Sequence, residues 1–159
     1  DMQSFNRGHY VRAMEERALG AIGLTREKNT VTDEKLLEMA VGMLVYSYVP
    51  YSNYPVGAAL LAKDGRVFTG CNVENAAYGN TMCAERTALF KAVSEGAREF
   101  EAVAIAARSS APFPCGACRQ SLYEFAPDLR VMVTWDGNVR KTTLRELLPE
   151  GFGPSSLGK

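Results

Sequence analysis

Cys83-Ala84-Glu85-Arg86 and, further along, Pro114-Cys115-Gly116-Ala117-Cys118 are the stretches on which the reading of this chain turns. Three thiols and one carboxylate fall in two short clusters. Zinc takes cysteine thiolates readily, and a catalytic zinc keeps three protein ligands and one open position for water. Cys83, Cys115 and Cys118 are therefore candidate ligands of one Zn²⁺ per chain. Glu85 stands two residues from Cys83, close enough to move protons on and off that water.

Each cluster sits at the start of a predicted helix. Asn80 and Thr81 precede a helix from about Met82 to Ser94, closed by Gly96. Pro114 stands where a second helix begins, over Cys115 to Phe125. This placement has an electrostatic reason. Three thiolates and Zn²⁺ sum to −1, and each helix N-terminus offers free N–H groups and roughly +0.5 of effective charge. Arg86 can offset more by donating to ligand sulfurs. Compensated in this way, a zinc can lower the pKa of its water to about 7. Glu85 then has the role of proton shuttle between water, a substrate ring nitrogen and a departing amine.

Outward from these clusters the chain alternates strands and helices. Thr32-Asp33-Glu34-Lys35 reads as a capped helix start, and Leu36, Leu37, Ala40, Met43 and Leu44 recur at helical spacing up to Tyr46 and Ser47. Pro50 ends that helix. Val56 to Ala62 and Arg66 to Asn72 are strands joined by the Asp64-Gly65 hairpin signal. Phe100 to Ala107 and Leu129 to Thr134 are buried strands. Asp136-Gly137 turns the chain into a short edge strand over Val139 to Thr142, and Thr143 to Leu147 is a last helical turn. This order implies a layered α/β sheet. Residues 1–30 form an N-terminal extension, with a helical arm expected over His9 to Gly23, and residues 31–159 form the domain proper. His9, the only histidine, is expected at the surface and not as a ligand.

A closed four-cysteine site that adds Cys71 is the structural alternative, as is a redox or disulfide use of Cys115 and Cys118. Cys71 ends a strand and reads more simply as a small buried hydrophobe. The redox use leaves Cys83 and Glu85 without a purpose.

Bulk properties bound the classes. With 159 residues, 47% hydrophobic and 23% charged, the chain fits one soluble globular domain with a real core. A formal net charge of zero argues against a strongly basic nucleic-acid surface, so no nucleic-acid partner is expected. No apolar run approaches the roughly 20 residues of a membrane span. Asp1 to Leu24 carries charges throughout and lacks the apolar centre of a secretory signal. Reduced thiols in a metal-type arrangement point to the cytoplasm.

Taken together, these residues resemble the small homotetrameric cytidine deaminases. The matching stretches are Tyr51 to Leu60, Gly70 to Gly79, Cys83 to Ala88, Pro114 to Gln120, and Glu146 to Pro149 with Phe152-Gly153. The resemblance covers roughly Thr32 to Gly153. It implies a three-layer α/β/α sandwich around a mixed sheet of about five strands. It implies a hydrolase of pyrimidine salvage that converts cytidine and deoxycytidine to uridine and deoxyuridine, releasing ammonia. Cys83, Cys115 and Cys118 resemble the zinc ligands, Glu85 the catalytic carboxylate and Arg86 the residue that bonds ligand sulfurs. Asn72 and Glu74 resemble the pair that binds the ribose 3′-hydroxyl. They lie in a substrate-binding segment with Val73, Asn75, Ala76, Ala77 and Tyr78, of which Ala76 and Tyr78 contribute to a neighbouring subunit's site. The Ala84 backbone resembles a contact to the pyrimidine edge, and Phe152 an aromatic that closes an adjacent pocket. Tyr54 occupies a position usually held by Phe that packs on substrate, and its added hydroxyl needs a partner. A homotetramer with shared pockets follows from the same resemblance. Other functions that could use the same residues are deamination of a nucleoside antibiotic such as blasticidin S, deamination of a polynucleotide, and a non-catalytic zinc-stabilised binding module.

Overall fold

Five strands in the order β2-β1-β3-β4-β5 form one mixed sheet, seen in a computed structural model that describes residues 30–159. The strands are β1 (Gly57–Ala62), β2 (Val67–Cys71), β3 (Phe100–Ala106), β4 (Arg130–Trp135) and β5 (Asn138–Thr143). The helices are α1 (Asp33–Gly42), α2 (Ala84–Ser94), α3 (Gly116–Tyr123) and α4 (Leu144–Leu147). The arm expected over His9 to Gly23, and His9 itself, lie outside the described residues.

Local chemistry sets the element ends. The Thr32 hydroxyl accepts from Lys35 N at 3.1 Å and caps α1, whose first turn carries Asp33 and Glu34. The spacing of apolar residues suggested a helix as far as Ser47. Instead the chain tightens into a 3₁₀ turn over Met43–Tyr46. Val45 and Tyr46 lie on the surface, so no buried stripe extends the α-helix there. Gly65 has φ +91° in the β1–β2 turn, and Gly96 has the same value just beyond α2. The Asp136-Gly137 turn has positive φ at both residues, as a tight hairpin between β4 and β5 requires.

β1 pairs antiparallel with both β2 and β3, β3 runs parallel to β4, and β4 pairs antiparallel with β5. Strand alternation then sorts side chains to two cores. Ala59, Leu61, Ala102, Ala104, Ala106 and Met132 face α1, with Leu36 and Ala40. Leu60, Val103, Ile105, Val131 and Val133 face the opposite layer, with Leu89 of α2 and Leu122 of α3. The result is the expected α/β/α sandwich. The alanine-rich face lets α1 lie close: a Cβ on Gly57 would touch the Met43 side chain at 3.0 Å and run into the Ala40 carbonyl. Leu61 pairs with Ala102 but Ala62 pairs with Phe100, so Glu101 is a bulged residue. That shift puts Phe100 in the same core as Val103. Each fully buried Leu or Ile in these layers contributes about 1.5–3 kcal/mol by transfer from water.

Gly70 is where this packing reaches the thiols. A Cβ there would lie 2.6 Å from Ala88 N and 3.1 Å from the Thr87 Cβ, and would overlap the Ala84 carbonyl. β2 therefore seats the first turn of α2 only while residue 70 has no side chain. Gly70→Ala is expected to destabilise the fold by about 1–3 kcal/mol and to lower zinc content by displacing Cys83. Chemical denaturation and metal analysis measure both; a variant with unchanged stability and full zinc would remove this role from Gly70.

Candidate metal centre

Two helix starts meet over three sulfurs. Cys83 is the N-cap of α2 and Cys115 the N-cap of α3. This corrects the expected start of α2 at Met82: Asn80 ends a 3₁₀ turn, Met82 pairs with Val73 as an isolated bridge, and the helix begins at Ala84. The Cys83 carbonyl accepts from Thr87 N at 3.0 Å and the Cys115 carbonyl from Arg119 N at 2.9 Å. Arg119 also donates through Nε to the Pro114 carbonyl at 2.7 Å and through Nη1 to the Leu147 carbonyl at 2.6 Å. These bonds hold the Pro114-Cys115 corner to the C-terminal segment.

The Sγ atoms of Cys83, Cys115 and Cys118 lie within 4.8 Å of one another. Cys83 and Cys115 are 3.7 Å apart. Two thiolates on a tetrahedral zinc, with Zn–S of about 2.3 Å, stand about 3.8 Å apart. The donor set therefore fits zinc in chemistry and in spacing. Among the described residues no other Cys, His, Asp or Glu joins the group. Cys71 stays out of it, with its Sγ directed at the Tyr46 carbonyl at 3.4 Å and its thiol pushed up by burial. The trio thus offers three of zinc's four positions and leaves one for a small ligand.

Charges around the sulfurs are set by three neighbours. Arg86 donates to Cys83 Sγ at 3.4 Å. Hydrogen bonding from Cys118, then from Arg86 and Cys115, pulls the Cys83 thiol down to about 5 against the effect of burial. Cys118 is held up by its bond to Cys83 and by burial. The Arg86 pKa is raised by the same contacts, and its Nε is buried without a partner.

Glu85 is only 5% exposed, and its Oε2 sits 3.7 Å from Cys118 Sγ. Burial pushes its carboxyl up to about 7, and the charge on Cys83 adds to the rise. A carboxyl poised near neutrality can both take and release a proton.

The structure draws Asn72, Glu74 and Tyr54 into one bonded frame. Asn72 is buried, accepts from Val56 N at 2.9 Å and donates to the Tyr54 carbonyl at 2.8 Å. Glu74 accepts from Tyr51 N at 3.0 Å, from Ser52 N at 3.1 Å and from the Ser52 hydroxyl. Asn75 caps its own turn by accepting from Ala77 N at 2.8 Å. Ala84 is fully buried, whereas Val73, Tyr78 and Phe152 are exposed. The Tyr78 ring meets Tyr51 edge-on, with centroids 5.6 Å apart. The Phe152 carbonyl accepts from Gln120 at 2.9 Å. A cleft of about 450 Å³ between the end of α1 and the β4–β5 turn is lined by Val41, Val45, Arg108 and Trp135 among others, and contains none of these residues.

Sequence reasoning missed Ser52 and Ser110. Ser52 joins Glu74 to Tyr54 N, and Ser110 supplies the partner that the Tyr54 hydroxyl needed. Both are surface serines in turns, a residue type whose pairing depends on long-range approach.

Residues 30–134 match the family described as the cytidine and deoxycytidylate deaminase zinc-binding region. The chain is 50% identical over 127 residues to cytidine deaminase of Sporosarcina psychrophila, covering 78% of this chain and 93% of that one. The crystal structure of cytidine deaminase from Burkholderia pseudomallei superposes with a TM-score of 0.73 at 50% identity, covering 76% of this chain and 99% of that one. Blasticidin-S deaminase of Bacillus cereus is 32% identical over 129 residues, covering 74% and 89% of the two chains.

Cys118→Ser is expected to lower zinc content by at least about tenfold, while Cys71→Ser keeps one zinc per chain and the wild-type fold. Metal analysis with circular dichroism measures this. Loss of zinc in the Cys71 variant would mean a closed four-sulfur site.

Proposed function

The chain belongs to the cytidine and deoxycytidylate deaminase family, and from that membership we propose that it hydrolyses cytidine and deoxycytidine to uridine and deoxyuridine with release of ammonia. The observation that carries this reading is the buried Glu85 carboxyl 3.7 Å from a sulfur of an open three-cysteine cluster. Bound zinc supplies Lewis acidity that makes water a nucleophile near neutral pH. Cys83, Cys115 and Cys118 would hold the zinc, and Glu85 beside them would take a proton from the attacking water and deliver it to the ring nitrogen beside C4. Once the C4–O bond has formed, Glu85 would take the remaining proton of the new C4 hydroxyl and pass it to the amino group, so that the C4–N bond breaks, the C4 carbonyl forms and ammonia leaves. Arg86 holds negative charge on Cys83. Ala84, at the buried first turn of α2, offers backbone groups to the pyrimidine edge.

Asn72 and Glu74 bind the ribose 3′-hydroxyl. A carboxylate has about four acceptor sites and an amide two N–H donors. Glu74 uses three of its sites on Tyr51 and Ser52, and Asn72 uses one N–H on Tyr54. One acceptor site on Glu74 and one N–H on Asn72 therefore stay available. Tyr54 presents its ring face to the base. Val73, Asn75, Ala76 and Ala77 complete the segment.

Tyr78 and Phe152, both largely exposed, together with Tyr46, Tyr48 and Val73, suit burial against other copies. We assign them to a homotetramer in which Ala76, Tyr78 and Phe152 reach a neighbour's pocket. Residues 31–159 form the catalytic domain and residues 1–30 an extension. Among the described residues no helix is long and apolar enough to cross a membrane. Because zinc-binding thiols must stay reduced, the cytoplasm is the proposed setting, with a role in pyrimidine salvage. Cytidine is favoured over a nucleoside antibiotic because the cytidine deaminase relative is 50% identical and the blasticidin-S deaminase 32%.

Glu85→Gln is expected to cut turnover by about 10²–10⁴-fold with zinc retained, read from ultraviolet loss of cytidine beside metal analysis. Normal turnover in that variant would refute the role of Glu85, and a wild-type enzyme inert on cytidine would refute the substrate. Sedimentation is expected to give four chains per particle; a fully active monomer would remove the shared-pocket roles of Tyr78 and Phe152.

A further inference from the structure

The Tyr54 hydroxyl donates to the Ser110 carbonyl at 2.8 Å, and the Ser110 hydroxyl donates back to the Tyr54 oxygen at 3.2 Å. The two residues are 56 positions apart. We infer that this reciprocal pair is a clasp, with Ser110 as a positioning residue that fixes the Tyr54 ring against the connection leading to Cys115.

Every other polar handle of Tyr54 is also tied. Its N–H donates to the Ser52 hydroxyl at 3.0 Å. That same hydroxyl donates to Glu74. Its carbonyl accepts from Asn72 at 2.8 Å. Backbone bonds therefore anchor Tyr54 to the segment that carries Asn72 and Glu74, and its side chain alone reaches the β3–α3 connection. Ser110 lies in that connection, upstream of Pro114 and Cys115. The clasp is thus a direct polar link between the turn that carries Tyr54 and the connection that leads to Cys115. Its phenol oxygen gives one hydrogen bond and takes one, so the hydroxyl is occupied and the ring face is the part left for substrate.

Ser110 is solvent-exposed and the β3–α3 connection is short of regular structure, since residues 107–115 contain neither helix nor strand. A loop of that kind keeps its place by specific bonds. Without the clasp the Tyr54 ring keeps its backbone anchor but loses its far support. The consequence falls on binding, because the metal corner is held independently by Arg119.

The inference rests on the assignment of cytidine as substrate, so the test has one arm that does not need turnover. Hydrogen exchange over residues 107–113 is compared for the wild type, Tyr54→Phe, Ser110→Ala and Ser110→Thr, each as zinc-loaded full-length enzyme. Alongside it, KM and kcat for cytidine are measured. Tyr54→Phe is expected to speed exchange in that stretch and raise KM about three- to tenfold, as loss of one or two neutral hydrogen bonds implies, with the fall in kcat/KM carried by KM. Ser110→Ala shifts both readouts in the same direction by less, because its carbonyl remains, and Ser110→Thr, which keeps the hydroxyl, returns toward wild type. The double variant Tyr54→Phe/Ser110→Ala is no worse than Tyr54→Phe alone, since both changes remove the same clasp. Unchanged exchange in Tyr54→Phe, additive losses in the double variant, or a fall in kcat as large as the rise in KM would overturn the clasp. Should the wild type leave cytidine untouched, the substrate assignment fails and the exchange comparison alone decides Ser110.

Discussion

Convergence of two helix N-termini on a shared cluster of sulfurs is the constraint that organises this protein. Thiolates in a protein interior carry a charge that must be offset. Here the offset comes from the starts of α2 and α3 and from Arg86 beside Cys83. Both helices must therefore lie on one face of the sheet with their first turns together. The side chains of Leu89 and Leu122 in a common core keep them there. The geometry of the cluster, with two sulfurs 3.7 Å apart, is the product of that packing.

The opposite face of the sheet serves the same end more quietly. On the side that α1 covers, β3 presents Ala102, Ala104 and Ala106, and β1 presents Ala59 beside Leu61. Small side chains let α1 sit close and leave the bulkier Leu60, Val103 and Ile105 to the layer beneath the metal corner. Gly70 then lets β2 approach the first turn of α2. Depth of burial follows from this closeness. Glu85 is buried beside the sulfurs, and desolvation raises its carboxyl to about 7. A surface glutamate at the same sequence position would stay ionised at neutral pH and would be a weaker base toward water.

The frame that carries Tyr54, Asn72 and Glu74 is built differently. It relies on hydrogen bonds among turns and not on apolar packing. Glu74, Ser52, Asn72 and Tyr54 each use some of their capacity to hold one another. Residues that brace one another in this way give a turn a defined shape without a helix or strand to carry it. Such a frame is directional, so it sets distances closely, yet it opens more easily than a core does.

Much of this was legible in the order of residues. Helical spacing, the Asp64-Gly65 and Asp136-Gly137 turns, and thiols at helix starts led to the layered sheet and to the metal trio, because these signals are local and depend on neighbours a few positions away. The resemblance of the Asn72 to Tyr78 stretch supplied the nucleoside reading on top of that chemistry. Other features became visible only in three dimensions. The tail of α1 became a 3₁₀ turn because Val45 and Tyr46 have nothing to pack against. α2 started at Ala84 because Met82 is held in a bridge with Val73. Cys71 was set apart from the other thiols by a carbonyl 25 positions earlier, and Tyr54 was tied to a serine 56 positions later. Periodicity and motif spacing act over a turn or two, whereas burial and long-range hydrogen bonds exist only once the sheet has brought distant segments together. Which chemical groups are present was therefore a property of the sequence, and which of them are buried, paired or left available was decided by the fold.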